Sequence, residues 1–345
     1  MKRILAILAF FVCIRLCPAE ADMEVHFLDV GQGDCAIVVA DGEAMIIDGG
    51  TGYNSRKVYR YIRDTLGLDE IRIMVATHPH EDHTGGLSGA MNAAPVDLLL
   101  TPVTEWADAY SLDDLIRYAD RQGTVCDIPA DGDQYALGRA TVTILMCWPE
   151  AWSENDMSIV LRVDYGTKSF LFTGDAEYTL EYMLLDSGRD LKADVLKVGH
   201  HGSHTSSTKE FLAAVRPEYA VISCGIGNTY LHPRKETLDK LAKIGTSVYR
   251  TDLQGTIIFQ TDGKHIIIET EQECASEKIM QSPENSIDNF AELPEKAVIA
   301  STRSMKYHKP DCIYGKNINM RNLVVFNNYS EAEEMGFTAC GICMR

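Results

Sequence analysis

The segment His78-Pro79-His80-Glu81-Asp82-His83-Thr84-Gly85-Gly86 leaves Ile71 to Thr77, a run apolar at nearly every position. Such a run reads as a strand buried on both faces. Three imidazoles and two carboxylates therefore crowd the turn at its end. Gly85 and Gly86 allow the tight bend into the next helix. In an HxHxDH turn the first and third side chains point to one side, and the fifth and sixth reach a second position nearby. His78, His80, Asp82 and His83 can thus hold one or two divalent cations, zinc or manganese, at the ~3.5–4 Å spacing of two-metal hydrolases. Histidines at strand ends are commonly ordinary polar residues, but three with an interposed Asp favour metal. Glu81 is expected to point outward.

Around this turn, apolar β-rich runs alternate with helical patterns. Met23–Val30, Cys35–Ala40 and Glu43–Gly50 form an opening meander split by Gly-Asp turns, before a helix over about 55–65. Further strands are expected in VDLLLT, ATVTILMCW, MSIVLRVDY, KSFLFTGD, ADVLKVGH, YAVISCG, SVYRTD, GTIIFQT and KHIIIET. Helices fit at about 113–121, 177–185, 209–215 and 235–244. This α/β alternation fits two facing sheets with helices outside.

Residues 1–21 carry Lys2 and Arg3, a short apolar run and a small-x-small site at Ala19-Glu20-Ala21, the pattern of a cleaved secretory signal peptide. The mature chain is expected to start near Asp22 and to be extracytoplasmic. No apolar run long enough for a membrane span follows. From residue 271 to 295, seven acids stand against Lys278, a solvated linker between a hydrolase domain at 22–270 and a small domain at 296–345. The net charge of −18 argues against nucleic acid held on a broad basic surface, and leaves open an enzyme that meets phosphates through metals. Cys35, Cys126, Cys147 and Cys224 sit singly in apolar runs and read as buried thiols.

HPHEDHTGG resembles the signature of the metallo-β-lactamase superfamily. FLDVGQGDCAIV, IIDGG, ENDMSIVLRVDYG, FLFTGDAE, LKVGHHGSHTSS, VISCGIGNTYLHP and YRTDLQGTI, in that order, resemble the hydrolase domain of ComEC-type competence proteins. The resemblance spans about 23–270 and implies an αββα sandwich with metals at one edge between the sheets. It implies that Asp48 orients a ligand histidine and that Asp175 bridges the metals. Where the broader family often supplies a histidine between Leu87 and Asp175, this chain has none. The subgroup's Asn-x-x-Ser is matched by Asn155 to Ser158, which makes Asn155 a candidate catalytic residue. His200, His201 and His232 are candidates to complete the site, His201 first, with His204 outside it. Ser203, Ser206 and Ser207 are candidate phosphate donors or a helix cap.

At such a site a divalent cation lowers the pKa of bound water to about 7 and polarises the attacked oxygen. Asp82 is a candidate ligand and the nearest carboxylate to manage a proton. A phosphodiester, DNA above all, suits the site. A different ester such as cell-surface phosphorylcholine, or a non-catalytic binding role, are the alternatives.

In the tail, His308 and Cys312 stand four apart and Cys340 and Cys343 three apart, two close pairs that meet the needs of a closed tetrahedral zinc site. Residues 298–344 resemble the zinc domain of Ada-type DNA-repair proteins, with His308 where that family has cysteine. The tail's slight basic balance permits DNA contact.

Overall fold

The computed structural model describes residues 22–107, 109–272, 297–301, 306–310, 312, 323–326, 328–334, 337–341 and 343. The expected signal peptide and nearly all of the acidic linker lie outside these residues. The chain divides into two compact units, Met1–Cys274 and Ala275–Arg345.

The larger unit is built on two sheets. In the first, β1 (Met23–Phe27), β2 (Ala36–Ala40) and β3 (Glu43–Ile47) run antiparallel, and β4 (Ile71–Val75), β5 (Val96–Leu100) and β6 (Val125–Asp127) continue in parallel from β3. On the other side of β1, β14 (Ile257–Thr261) and β15 (Ile266–Thr270) extend the sheet antiparallel. The second sheet contains β7 (Gln134–Leu137), β8 (Ala140–Met146), β9 (Val160–Tyr165) and β10 (Lys168–Phe172), all antiparallel. Then β11 (Val195–Lys197), β12 (Tyr219–Ile222) and β13 (Ser247–Arg250) follow β10 in parallel.

The alternation of apolar residues along these strands leaves one apolar face of each sheet to be covered by the other. Phe27 from the first sheet meets Phe172 from the second at 5.9 Å between ring centroids, and Phe259 meets Phe170 at 6.1 Å. Each such ring contributes about 1.5–3 kcal/mol by leaving water. The outer faces are covered by helices. On the first sheet these include α1 (Ser55–Arg60), α3 (Leu87–Ala93) and α4 (Tyr110–Gln122), through Val58, Leu87, Met91, Leu112 and Leu115. α2 (Glu81–Thr84) is the single turn that carries the histidine motif. On the second sheet, α5 (Tyr178–Asp186), α6 (Lys209–Val215) and α7 (Lys235–Lys243) bury Leu180, Leu184, Phe211, Leu212 and Leu241, and α8 (Thr251–Gln254) is one short turn. The layer order is the αββα sandwich expected from the sequence.

The smaller unit has a four-stranded sheet of β16 (Val298–Ser301), β17 (Lys306–His308), β18 (Leu323–Phe326) and β19 (Thr338–Ala339), with α9 (Tyr329–Glu334). Tyr307, Phe326, Ala332 and Phe337 form its core.

The free thiols depart from expectation in part. Cys35 and Cys224 are buried, but Cys126 and Cys147 are half-buried, because Cys126 lies on the edge strand β6 and Cys147 just past the end of β8.

Candidate metal centre

The parallel strands of both sheets end at the same edge of the sandwich, and the loops leaving them converge there. Asp48 follows β3, His78 follows β4, Asp175 follows β10, and His200 and His201 follow β11. Open α/β sheets bind ligands at the carboxyl ends of their strands in the same way.

Two Gly-Gly turns fix the first half of the site. The backbone N–H of Gly49 donates to His83 O at 2.7 Å, and that of Gly86 to Gly50 O at 2.8 Å. A Cβ on Gly86 would lie 1.8 Å from Gly49 O, so only glycine lets the turns approach this closely. Asp48, left-handed at φ 58°, is fully enclosed. Its carboxylate accepts from Thr77 N (2.8 Å), Thr77 Oγ1 (2.7 Å) and His83 Nδ1 (2.8 Å). Holding Nδ1 in this way turns His83 Nε2 toward Asp175 Oδ1, 3.3 Å away.

His201 arrives from the opposite sheet. His200 and His201 both adopt positive φ, at 50° and 52°. Consecutive left-handed non-glycine residues are strained by about 1–2 kcal/mol each, a pattern concentrated at functional sites. The result places His201 Nε2 3.2 Å from Asp82 Oδ2 and 3.6 Å from Asp175 Oδ2. His78 Nε2 lies 3.9 Å from Asp175 Oδ2 and 3.0 Å from His80 Nδ1. Asp175 thus stands between two donor groups, one with His83 and His201 and the other with His78 and His80. Ser158 Oγ accepts from Asp175 N at 2.9 Å and lies 3.4 Å from His78 Nδ1, so the Asn-x-x-Ser segment supports the site from below.

The donor set fits a divalent cation. His83 Nε2, Asp175 Oδ1 and His201 Nε2 are buried and without a hydrogen-bond partner among the described residues, yet all point into one space. Four carboxylates, Asp34, Asp48, Asp82 and Asp175, face a single ammonium, Lys197, a formal balance of −3 with neutral imidazoles. The same imbalance moves the proton equilibria. Burial opposes charge on His83 and His201, but surrounding carboxylates outweigh it, holding His83 well above the ordinary imidazole range and His201 at about 10. Burial also opposes ionisation of Asp175, and the His201 and His83 rings overcome it to hold the carboxyl well below its usual range. A metal at these atoms would supply the positive charge that protons otherwise supply.

Asp34, its partner Lys197, and Glu154, all absent from the sequence reading, belong to this neighbourhood. Asp34 is buried with Oδ2 2.5 Å from Lys197 Nζ and Oδ1 3.1 Å from His201 Nδ1, and it joins His83, Asp175 and His201 in one potential donor group. Its signal was Lys197, a charged residue in a strand whose neighbours are all apolar. Glu154 places Oε2 2.5 Å from His80 Nε2 and accepts from Trp106 Nε1 at 2.5 Å. Nothing local in the sequence marks that contact.

The remaining candidates divide. Asn155, Asp82, His200 and His232 line the open cleft over the cluster. His200 Nε2 is 3.8 Å from Asp175 Oδ2, while its Nδ1 turns to Glu177 Oε1 at 3.3 Å. His232 is pushed down to about 4 by burial and the nearby His200, and is therefore neutral. His204 is exposed. Glu81 is exposed as expected, but its Oε1 accepts from Gly52 N at 2.7 Å and pins the preceding turn. Of the two expectations for Ser203, Ser206 and Ser207, phosphate donors or a helix cap, the contacts favour the cap. All three are buried away from the cleft, with Ser206 Oγ donating to Ala176 O and Ser203 Oγ paired with Thr205 Oγ1. Ser207 N and Thr208 N donate to the buried Glu181 carboxylate, and Thr208 Oγ1 caps α6, so this loop closes a helix instead.

In the smaller unit, His308, Cys312, Cys340 and Cys343 bring one donor atom each within 4.8 Å of one another. Cys312 Sγ lies 3.5 Å from His308 Nδ1, and no disulfide joins these cysteines. The four donors could hold zinc.

Residues 28–226 match the family described as the metallo-beta-lactamase superfamily. ComE operon protein 3 of Bacillus subtilis (strain 168) is 31% identical over 262 residues, 70% of this chain and 33% of that protein. Recombination protein 2 of Haemophilus influenzae is 29% identical over 258 residues, 73% of this chain and 30% of that protein. The chain spans about a third of the length of these relatives. Among solved structures, the metallo-beta-lactamase fold protein YhfI of Bacillus subtilis aligns with a TM-score of 0.46 at 11% identity, covering 66% of this chain and 96% of that one.

Proposed function

The chain belongs to the metallo-β-lactamase superfamily, and on that premise we propose that it is an extracytoplasmic, metal-dependent phosphodiesterase whose substrate is DNA. The observation that carries the proposal is the meeting of His83 Nε2, His201 Nε2 and Asp175 Oδ1, buried and without a hydrogen-bond partner among the described residues, beneath an open cleft. Recombination, for which the Haemophilus influenzae relative is named, concerns DNA and supports that substrate. The location rests on the composition of residues 1–21.

His78, His80, Asp82, His83, Asp175 and His201 would hold one or two cations, with Asp34 available to the group of His83 and His201. A cation there supplies a Lewis acid for phosphate oxygens and acidifies water to about pKa 7. The chain's own residues do the rest. Asp48 and Glu154 fix the ring orientations of His83 and His80 through the nitrogens that face away from the cleft's centre. Asp82, half-exposed at the cleft floor, is placed to accept a proton from water entering beside His201. Asn155 and the neutral His232 offer uncharged polar atoms that orient an anionic group without trapping it.

The test is incubation of the purified chain with linear and circular DNA, RNA and a chromogenic phosphodiester, with Mn²⁺ or Zn²⁺ supplied and chelator as control. Metal-dependent cleavage of DNA, abolished in Asp82→Ala while the fold persists, is expected. Equal cleavage by Asp82→Ala would remove the catalytic assignment, and loss of every phosphodiester activity with metal bound would overturn the proposal.

A further inference from the structure

The loop from Gly225 to Pro233, between β12 and α7, forms one wall of the cleft and is held in a single shape. Asn228 acts as its clamp. Its Nδ2 donates to Gly225 O at 2.9 Å and to His232 O at 2.6 Å, and its Oδ1 accepts from His232 N at 3.0 Å. Gly225 N is anchored across the cleft to Gln32 Oε1 at 3.2 Å. Leu231 sits at φ 60°, a conformation a branched side chain adopts only when its surroundings impose it.

What this arrangement displays is a stack of rings. His232 lies nearly parallel to His201, with centroids 6.3 Å apart and planes at 28°. Tyr230 continues the series on His232, at 5.8 Å and 25°. Tyr230 is nevertheless 59% exposed and lines the same cleft as Asp82, Asp175 and His201. One face of its ring is covered by an imidazole, and the series stops there at an open aromatic surface, two ring spacings from a metal-binding histidine.

We propose that Tyr230 is a stacking platform for a nucleobase of the substrate, next to the phosphate engaged at the metal centre. The inference rests on the phosphodiesterase reading and specifies how that site grips its substrate. Planar alignment favours a planar ligand, and a base–aromatic stack tolerates any base because each has a π-face. The chain's charge gives the contact its importance. At −18 overall, the protein carries no net positive charge with which to follow a backbone, so stacking supplies affinity that lysines and arginines supply elsewhere.

A platform remote from the reacting bond stabilises bound substrate and transition state alike, so its loss raises KM and leaves kcat. In the full-length, Mn²⁺-loaded protein, Tyr230→Ala should raise KM for a short single-stranded oligonucleotide about tenfold, and Tyr230→Trp should restore it. With the same oligonucleotide made abasic, the gap between the Ala and parent proteins should close to within about twofold. A merely structural tyrosine would produce the same gap on both substrates, and that result, or an Ala protein indistinguishable from the parent on the base-bearing strand, overturns the platform. Cleavage of the chromogenic phosphodiester by a parent that neither cleaves nor binds the oligonucleotide would also overturn it while leaving phosphodiester hydrolysis standing. Binding of a fluorescent oligonucleotide, followed by anisotropy, decides the platform separately if no substrate is cleaved: weaker binding by Tyr230→Ala than by the parent supports the platform, and equal binding refutes it.

Discussion

Replacing Gly86 with Ala adds one methyl group at the point where the two Gly-Gly turns touch. That Cβ would sit 1.8 Å from Gly49 O, 1.2 Å inside the 3.0 Å that real Cβ atoms respect, with Gly49 C at 2.7 Å and Gly49 Cα at 3.3 Å. All three neighbours are backbone, so no side-chain rotation relieves the clash. The turns must separate by about an ångström, which strains or breaks the 2.7 Å and 2.8 Å hydrogen bonds between them. Overpacking of this kind is worth about 1–3 kcal/mol, and each weakened hydrogen bond about 0.5–1.5 kcal/mol more. A loss of about 3 kcal/mol lowers the melting temperature of a unit this size by roughly 10 °C. Asp48 and His83 lie on opposite sides of the seam, joined at 2.8 Å, so their contact opens as well and metal affinity falls about 10–100-fold. Calorimetry of the metal-free protein and a zinc competition titration read the two effects separately. Gly52→Ala is the control, since its Cβ would meet Glu81 Oε1, the tip of an exposed side chain, at 3.4 Å. A Gly86→Ala protein that melts within about 1 °C of the parent and binds zinc equally well would refute this account of the paired glycines.

Glu154→Gln should weaken metal binding about tenfold or more by withdrawing the carboxylate from His80 Nε2, with the midpoint of unfolding little changed; an unaltered zinc titration would remove Glu154 from the site. The Asp41 carboxyl, hydrogen-bonded by Arg139, is lowered to about 2 from its ordinary 3.8. Its contribution to stability is therefore full above about pH 4 and is lost as pH falls toward 2, small in size because both groups face solvent. NMR titration should find that midpoint in the parent and a higher one in Arg139→Gln, and a parent midpoint near 4 would contradict the pairing. Cys340→Ser in the full chain should remove one equivalent of tightly bound zinc by atomic absorption without altering hydrolysis of a small phosphodiester; undiminished zinc content would exclude a closed four-donor site in the tail.

The parts of this architecture that were legible in the sequence are those set by local pattern. The strand and helix runs follow from apolar periodicity, and α6 spans Lys209–Val215 as its amphipathic spacing dictates. HxHxDH was readable because four donors fall within six residues. Strands β6 and β7 escaped notice because they are short, and exposed and intermediate side chains outnumber buried ones in them. The serines of 203–207 stay open between phosphate donors and a helix cap in the sequence because composition does not reveal direction. Their loop turns inward to satisfy Glu181, a partner supplied by α5 and more than twenty residues distant. Asp34 and Glu154 act on histidines 167 and 74 residues away, and such pairings exist only once the sheets have met.

The opening strand of the larger unit is also neighbour to its closing hairpin. Met23 pairs with Thr261, Phe27 with Ile257, and Ile257 in turn with Thr270. The unit's two ends therefore emerge from one region of one sheet, diagonally across three adjacent strands, about 17 Å apart by strand spacing and rise. Some six residues of extended chain would bridge that distance. A module closed in this way can be carried at either end of another polypeptide, or set within one, without any strand being rethreaded, because its host would meet it at a single patch of surface.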